Sequence, residues 1–175
     1  VLADGVSYDK LVMRNKDNEQ VIGYLTNVDL SANVKLKATY SGYYTKNSTA
    51  ASRAETAGRL NWNMSMTTKL ANEYASIADA EGTVVMATNC DFFNMGTGEP
   101  LGYLIMEGNT VRTGNEPYFA ILKDGSAVIR DAGADYSDVV EAVSGSPYLI
   151  KNGDIQVRAN DALMPRNSVG IREDG

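Results

Sequence analysis

The most informative stretch of the sequence lies at Thr83-Val84-Val85-Met86-Ala87-Thr88-Asn89-Cys90-Asp91-Phe92-Phe93-Asn94. Its first half, residues 83–88, is a nearly continuous apolar run, and a strand of that composition is usually covered on both faces. Two polar side chains, Asn89 and Asp91, follow at once, together with two aromatic ones. Because ligands commonly bind at the C-terminal end of an interior strand, the stretch predicts a strand that ends in a candidate site.

Two interpretations of residues 89–93 stay open. In the first, Asn89 supplies a donor and an acceptor, Asp91 supplies a carboxylate, and Phe92 or Phe93 packs on a sugar face. In the second, the polar residues form an Asx turn into a loop and both aromatic rings fill the core. Position and composition alone do not separate the two.

The segment before this stretch predicts the main helix of the chain. Leu70, Tyr74 and Ile77 are spaced i, i+4 and i+7, which places one apolar stripe on a helix from about Met66 to Ala80. The helix then leads directly into the apolar strand.

Most of the remaining chain shows period-two alternation or β-branched composition, which predicts strands. The predicted strands are Val6–Met13, Gln20–Asp29, Val34–Tyr40, Leu101–Glu107, Thr110–Thr113, Tyr118–Lys123, Ala127–Asp131, Tyr148–Lys151, Ile155–Arg158 and Ser168–Arg172. Three pairs with tight-turn chemistry lie between extended segments: Gly108-Asn109, Asp124-Gly125 and Asn152-Gly153. With a short second helix at Tyr136–Ala142, the pattern predicts an α+β fold, a mixed or largely antiparallel sheet system with the main helix packed on it.

Two segments depart from this pattern. Ser41–Asn63 is rich in Gly, Ser, Thr and Asn and is long for a plain loop, so we expect it to be functional or partly mobile. A fourth turn pair, Asp174-Gly175, follows a predicted strand and has no return strand after it. We therefore expect residues 1–175 to be one domain that is incomplete at its C-terminus.

The composition excludes several classes of function. The chain has 175 residues, a net charge of −6, no His and a single Cys. The acidic balance disfavours a nucleic-acid partner, and no apolar run is long enough to predict a membrane span. Without His, Ser-His-Asp and Cys-His systems are excluded and ordinary catalytic zinc sites are disfavoured. Acid–base chemistry therefore falls chiefly to carboxylates.

Outside the central stretch, four residues are candidates for a binding site. Arg166 opens a predicted strand directly after Pro165, and a guanidinium on a rigid element can hold a phosphate through two parallel hydrogen bonds. Ser144 and Gly145 could line a pocket, and Glu99 is a second carboxylate near the central stretch. Each also has a plainer interpretation: a surface charge, turn residues and a solvated loop residue, respectively.

Taken in order, these stretches resemble the phosphodiester glycosidase family. The likeness runs through Val84–Phe93, whose family pattern is similar to N-G-x-F-F, then Pro100–Gly102, Phe119–Gly125, Ser144–Gly153 and Pro165-Arg166, and it covers nearly the whole chain. Two positions depart from the pattern: Cys90 where the family often has Gly, and Asn167 where it often has Thr. Family members continue beyond the part that matches this chain with a further acidic, glycine-rich segment, so the resemblance implies the N-terminal portion of the domain.

The resemblance implies an enzyme that hydrolyses the bond between an anomeric carbon and a phosphate. In this interpretation Arg166 clamps the phosphate, Asp91 is the base, the nucleophile or an electrostatic stabiliser, and Asn89 orients sugar hydroxyls. Ser144 and Gly145 would line the pocket, with Phe92 and Glu99 as further substrate contacts. The partners implied are a phosphorylated glycan or cell-wall polymer and the complementary C-terminal segment of the domain. The location implied is that of secreted bacterial members, extracellular or on the cell surface.

Two rival functions and one cofactor question remain. The chain could be a non-catalytic carbohydrate-binding or surface-attachment module of the same fold, or a structural β-rich domain in which Asn89 and Asp91 only cap a turn. Asp91 and loop carbonyls could hold a divalent cation such as calcium, but nothing has the spacing of a dedicated site. We expect no cofactor and no bound metal.

Overall fold

The computed structural model describes residues 2–156 and 166–173. The chain divides into two compact units, Val1–Leu36 and Lys37–Asp174. Within these described residues the sheets are antiparallel and two short α-helices accompany them, so the predicted α+β class is confirmed. In the described part of the chain, no helix combines the length and apolarity needed to cross a membrane.

The first unit is built on one long hairpin. Strand β1 (Val6–Arg14) pairs with β2 (Gln20–Val28) in antiparallel register, with Val6 opposite Val28. Gly5 precedes the hairpin at φ +75°, where a Cβ atom would lie 2.5 Å from the Cβ of Ala32. Only glycine fits there, and the turn back of the chain depends on it.

The second unit contains a five-stranded antiparallel sheet with the order β4-β3-β7-β5-β6. Its strands are β3 (Leu104–Met106), β4 (Asn109–Arg112), β5 (Tyr118–Leu122), β6 (Ala127–Arg130) and β7 (Val139–Ser144). A two-residue hairpin, β8 (Ile150–Lys151) with β9 (Asp154–Ile155), follows this sheet. Its turn, Asn152-Gly153, has positive φ at both residues, as predicted.

The sheet is buried on both faces, as the alternation in β3 shows. Leu104 and Met106 belong to one core cluster, with Tyr43, Tyr44 and Ile77, whereas Ile105 belongs to another, with Tyr118 and Ala142. Successive side chains of a strand point to opposite faces, so three consecutive buried residues need cover on both sides. The helical segments supply one layer, since Ala57 and Tyr74 pack in the first cluster.

The helices differ from those predicted. The polar segment Ser41–Asn63 contains α1 (Ala50–Thr56), which begins at a capping box formed by Thr49 and Ser52. The main helix is shorter than predicted, because α2 covers only Thr67–Tyr74.

The predicted helix at Tyr136–Ala142 is wrong, because β7 lies there between β3 and β5. Asp135 Oδ1 accepts a hydrogen bond from the Ser137 backbone amide at 3.1 Å, which forms a turn before the strand. The β-branched pair Val139 and Val140 then favours extended backbone.

Three predicted strands form no ladder among residues 2–156 and 166–173: Val34–Tyr40, Thr83–Thr88 and Ser168–Arg172. Residues 83–88 are largely exposed, with Val84 half-buried. Hydrophobic composition alone does not make a strand, since the backbone also needs a neighbour with which to pair. Part of the predicted strand Ile155–Arg158, Pro165 and the turn Asp174-Gly175 lie outside the described residues.

Candidate active site

A side-chain contact joins the two stretches that the sequence singled out. Asn167 Nδ2 donates hydrogen bonds to Asn89 Oδ1 at 2.6 Å and to the Asn89 carbonyl oxygen at 3.0 Å. Arg166 and Asp91 each lie within two residues of this contact along the chain. The contact therefore brings the arginine stretch beside the carboxylate stretch, although 78 positions separate Asn89 from Asn167.

Asp91 is half-buried and held by two backbone amides. Its Oδ1 accepts from the Phe92 amide at 2.6 Å, and its Oδ2 accepts from the Gly102 amide at 3.1 Å. Its φ of 58° is left-handed, a conformation that Asp tolerates better than most residues. Burial raises the pKa of Asp91; the two amides lower it in part, and the charge of Glu116 raises it further. The carboxylate is rigid, and its charged form is disfavoured.

Ser144 and Gly102 pack tightly next to Asp91. Ser144 is 4% exposed, and its Oγ accepts a hydrogen bond from the Tyr103 amide at 2.6 Å. A Cβ atom on Gly102 would lie 2.1 Å from Ser144 Cβ and 3.1 Å from Asp91 Oδ2. Glycine at position 102 is what allows the serine and the carboxylate to share this space.

Gly145 follows Ser144 at the end of β7. Its amide donates to the Pro117 carbonyl oxygen at 3.0 Å, and apart from its two chain neighbours no described residue has an atom within 4 Å of a Cβ built on it. Ser144 is thus buried and hydrogen-bonded within the fold, whereas open space lies where a side chain on residue 145 would be.

Phe92 and Glu99, the two further predicted substrate contacts, differ in whether another residue of the protein already binds them. Phe92 is 55% exposed, so one ring is available to pack against a ligand. Glu99 forms an ion pair with Arg112 instead of standing free in a loop. Its carboxylate must break or share that pair to reach a substrate.

Arg166 is exposed and has no ion-pair partner in the part of the chain that the structure describes. An unpaired guanidinium beside a polar contact can bind a phosphate without first losing a protein partner. Among residues 2–156 and 166–173, no group of three or more His, Cys, Asp or Glu is arranged to hold a metal ion.

Sequence reasoning missed two contributors to this site. The close-packing role of Gly102 had no local signal beyond its place in Pro100-Leu101-Gly102. Glu116 had a local signal, because it is the acidic residue of a Glu-Pro pair just before β5. The residue before a proline is restricted to extended backbone, so its carboxylate stands on a rigid segment.

Comparison with known proteins identifies the class of protein. The family model described as phosphodiester glycosidase matches residues 82–175, which is more than half of the chain. The chain therefore belongs to the phosphodiester glycosidase family, and the resemblance seen in the sequence is confirmed.

A solved structure adds a likeness in fold. The catalytic domain of zebrafish N-acetylglucosamine-1-phosphodiester alpha-N-acetylglucosaminidase, auto-inhibited by its pro-peptide, superposes with a TM-score of 0.54 at 17% identity. The match covers 86% of this chain and 45% of that one, so this chain spans less than half the length of the zebrafish structure. A search of curated proteins found no match.

Proposed function

We propose that this protein hydrolyses a sugar 1-phosphodiester, breaking the bond between the anomeric carbon and the phosphate oxygen. The observation that carries the proposal is the Asn167–Asn89 contact, which sets Arg166, without an ion-pair partner among the described residues, beside the stretch that contains Asp91. Membership of the phosphodiester glycosidase family supports the reaction class.

The chemistry needs no histidine and no metal ligand from this chain. A phosphomonoester leaves readily because its second ionisation lies near pH 6. The site must hold phosphate charge and stabilise an oxocarbenium-like carbon. Arg166 would bind the phosphate oxygens, Asp91 would face the developing positive charge, and Asn89 would orient a sugar hydroxyl.

The remaining site residues would shape the pocket. Gly145, at the open end of β7, would let the substrate approach the backbone, with Ser144 fixing that turn from inside. The exposed ring of Phe92 would pack on the sugar. Glu99 would contribute only if a substrate group took the place of Arg112.

The substrate class that we propose is a phosphorylated glycan or cell-wall polymer met outside the cell. A net charge of −6 argues against nucleic acid, whose phosphates need a basic surface. The complementary C-terminal segment of the domain is proposed as a further partner of residues 1–175, which we continue to interpret as one phosphodiester glycosidase-like domain.

A second function is favoured by one observation. Both oxygens of Asp91 already accept backbone hydrogen bonds, as they would in a purely structural turn. A carbohydrate-binding or surface-attachment module that keeps the fold without turnover would use Arg166 and Phe92 in the same way and leave Asp91 as a cap.

The test uses the full-length protein and a panel of sugar 1-phosphodiesters that differ in sugar and alcohol. Phosphorus NMR follows release of the phosphomonoester, and calorimetry measures binding of the same compounds. Release of phosphomonoester together with free reducing sugar supports hydrolysis. Binding without release would identify the binding module. The absence of both binding and release would contradict both functions.

A further inference from the structure

The loop between β4 and β5, residues 113–117, is fixed to the candidate site at its first half by Gly114. A Cβ atom on Gly114 would lie 2.6 Å from Gly102 Cα and 2.8 Å from the Gly102 carbonyl carbon. This approach to the backbone of residue 102 is possible only because residue 114 has no Cβ atom. The Gly102 amide also donates a hydrogen bond to Asp91. The loop therefore packs directly against the residue that binds the Asp91 carboxylate.

The same loop is fixed at its other end by Pro117. The Pro117 carbonyl oxygen accepts from the Gly145 amide at 3.0 Å, next to the buried Ser144. Proline restricts its own φ and also confines the residue before it to extended backbone. Glu116 therefore lies between two anchors, both of which are attached to the cluster of Asp91, Gly102 and Ser144.

Glu116 differs from the other carboxylates of this region in being free. It is half-buried, and among residues 2–156 and 166–173 it has no hydrogen-bond or ion-pair partner. Asp91 is bound by two amides and Glu99 by Arg112. Glu116 is also close enough for its charge to raise the pKa of Asp91, next to burial as the main cause.

We infer that Glu116 is the second carboxylate of the site and acts as the base that takes a proton from the attacking water, with Asp91 as the partner carboxyl that two backbone amides hold in place. The inference rests on the proposed hydrolysis. The water oxygen bonds to the anomeric carbon, and the bond from that carbon to the phosphate oxygen breaks. The electron pair leaves with the phosphomonoester, and the proton of the water passes to Glu116 and then to solvent.

The first test does not depend on turnover. Carbon NMR follows the titration of the Asp91 carboxyl in the wild-type protein, in Glu116→Gln and in the control Glu55→Gln, whose carboxylate lies exposed on α1. We expect the pKa of Asp91 to fall in Glu116→Gln and to stay unchanged in the control. An unchanged Asp91 titration in Glu116→Gln would overturn the pairing, whether or not any substrate is cleaved.

The second test measures kcat and KM on a sugar 1-phosphodiester that the wild-type protein hydrolyses. Removing a general base lowers rates by about 100-fold or more, so we expect Glu116→Ala to lose kcat by that factor with little change in KM. Formate or azide should restore part of the rate, which a structural defect would not allow. Full activity of Glu116→Ala would overturn the inference and leave the proposed hydrolysis intact, whereas an inactive wild-type protein would contradict the hydrolysis itself.

Discussion

Asn167 Nδ2 lies 2.6 Å from Asn89 Oδ1, and this contact joins the two candidate stretches of the site. The same amide group also reaches the Asn89 carbonyl oxygen. A side chain that bridges two exposed segments fixes their spacing while adding little to global stability.

We therefore predict that Asn167→Ala lowers kcat/KM on a sugar 1-phosphodiester by about tenfold, the size of one lost positioning interaction of ~1.4 kcal/mol. The midpoint of thermal unfolding should hardly change. Asn61→Ala, which also removes an exposed amide, is the control and should leave both quantities unchanged. An Asn167→Ala protein with wild-type kinetics would mean that the contact does not position the site.

Gly102→Ala should destabilise the protein by about 1–3 kcal/mol, the usual range for forcing an extra carbon into a packed site. The added Cβ would meet Ser144 Cβ at 2.1 Å and Ser144 Oγ at 2.3 Å. Urea unfolding measures the free energy of unfolding. Gly58→Ala is the matched control, because a Cβ built on Gly58 meets no atom of the structurally described residues within 4 Å.

A double variant sharpens this prediction. Ser144→Gly removes the two nearest clashing atoms, so Gly102→Ala combined with Ser144→Gly should be less unstable than the sum of the single changes. Strict additivity would show that the two residues do not share the space that the structure assigns to them.

Arg53 carries a third prediction, because it is 2% exposed and bound by two carboxylates. Its Nη2 donates to Glu107 Oε1 at 2.7 Å and its Nη1 donates to Asp79 Oδ1 at 2.9 Å. Removing one member of a buried ion pair typically costs about 3–5 kcal/mol, since the remaining charge is left without a partner. Arg53→Met should lose stability of that order in urea unfolding.

The control for Arg53 is a pair on α2, the exposed Lys69 and the half-buried Glu73, whose charged atoms lie 3.6 Å apart. Lys69→Met should change the free energy of unfolding by less than ~0.5 kcal/mol. Equal effects of Lys69→Met and Arg53→Met would show that the network around Arg53 is not stabilising.

The raised pKa of Glu141 leads us to predict that the stability of the protein depends on pH. Burial raises the pKa of this β7 carboxyl to about 7, and the ammonium of Lys37, 3.0 Å away, offsets only part of that effect. The folded protein then binds the proton more tightly than the unfolded chain, whose glutamate pKa is near 4.5. The stabilisation is complete below pH 4.5 and is lost as the pH rises through 7, with a total of about 3 kcal/mol.

The measurement is the free energy of unfolding between pH 4 and pH 8 for the wild-type protein and Glu141→Gln. The wild-type value should decline through this window more steeply than that of the variant. Parallel profiles for the two proteins would contradict the assignment of this dependence to Glu141.

Local patterns predicted the parts of the fold that depend on neighbours in sequence. Alternation located β1, β2, β5 and β6 to within one or two residues, and Asn152-Gly153 marked its hairpin turn. β7 was missed because Tyr136–Ala142 also suits a short helix, and only its position between β3 and β5 makes it a strand. The strand predicted at Thr83–Thr88 failed for the complementary reason, since no strand pairs with it among the described residues.

The sequence predicted several residues of the candidate site but not the contacts between them. Asn89 and Asp91 follow an apolar run, which is a local signal. The bond from Asn167 to Asn89 and the fit of Gly102 against Ser144 join residues far apart in the chain. Contacts of that kind leave no pattern in one sequence, so they emerge only when the chain is folded.

Steady-state kinetics of Arg166→Ala in the full-length protein test most directly whether Arg166 binds the phosphate of a glycosyl phosphodiester beside Asp91. The control is Arg59→Ala, which removes another exposed arginine. We predict that Arg166→Ala loses about 100-fold or more in kcat/KM, as expected for a lost charge-stabilising donor, while Arg59→Ala stays within twofold of wild type. An Arg166→Ala enzyme with unchanged kcat/KM would contradict the account.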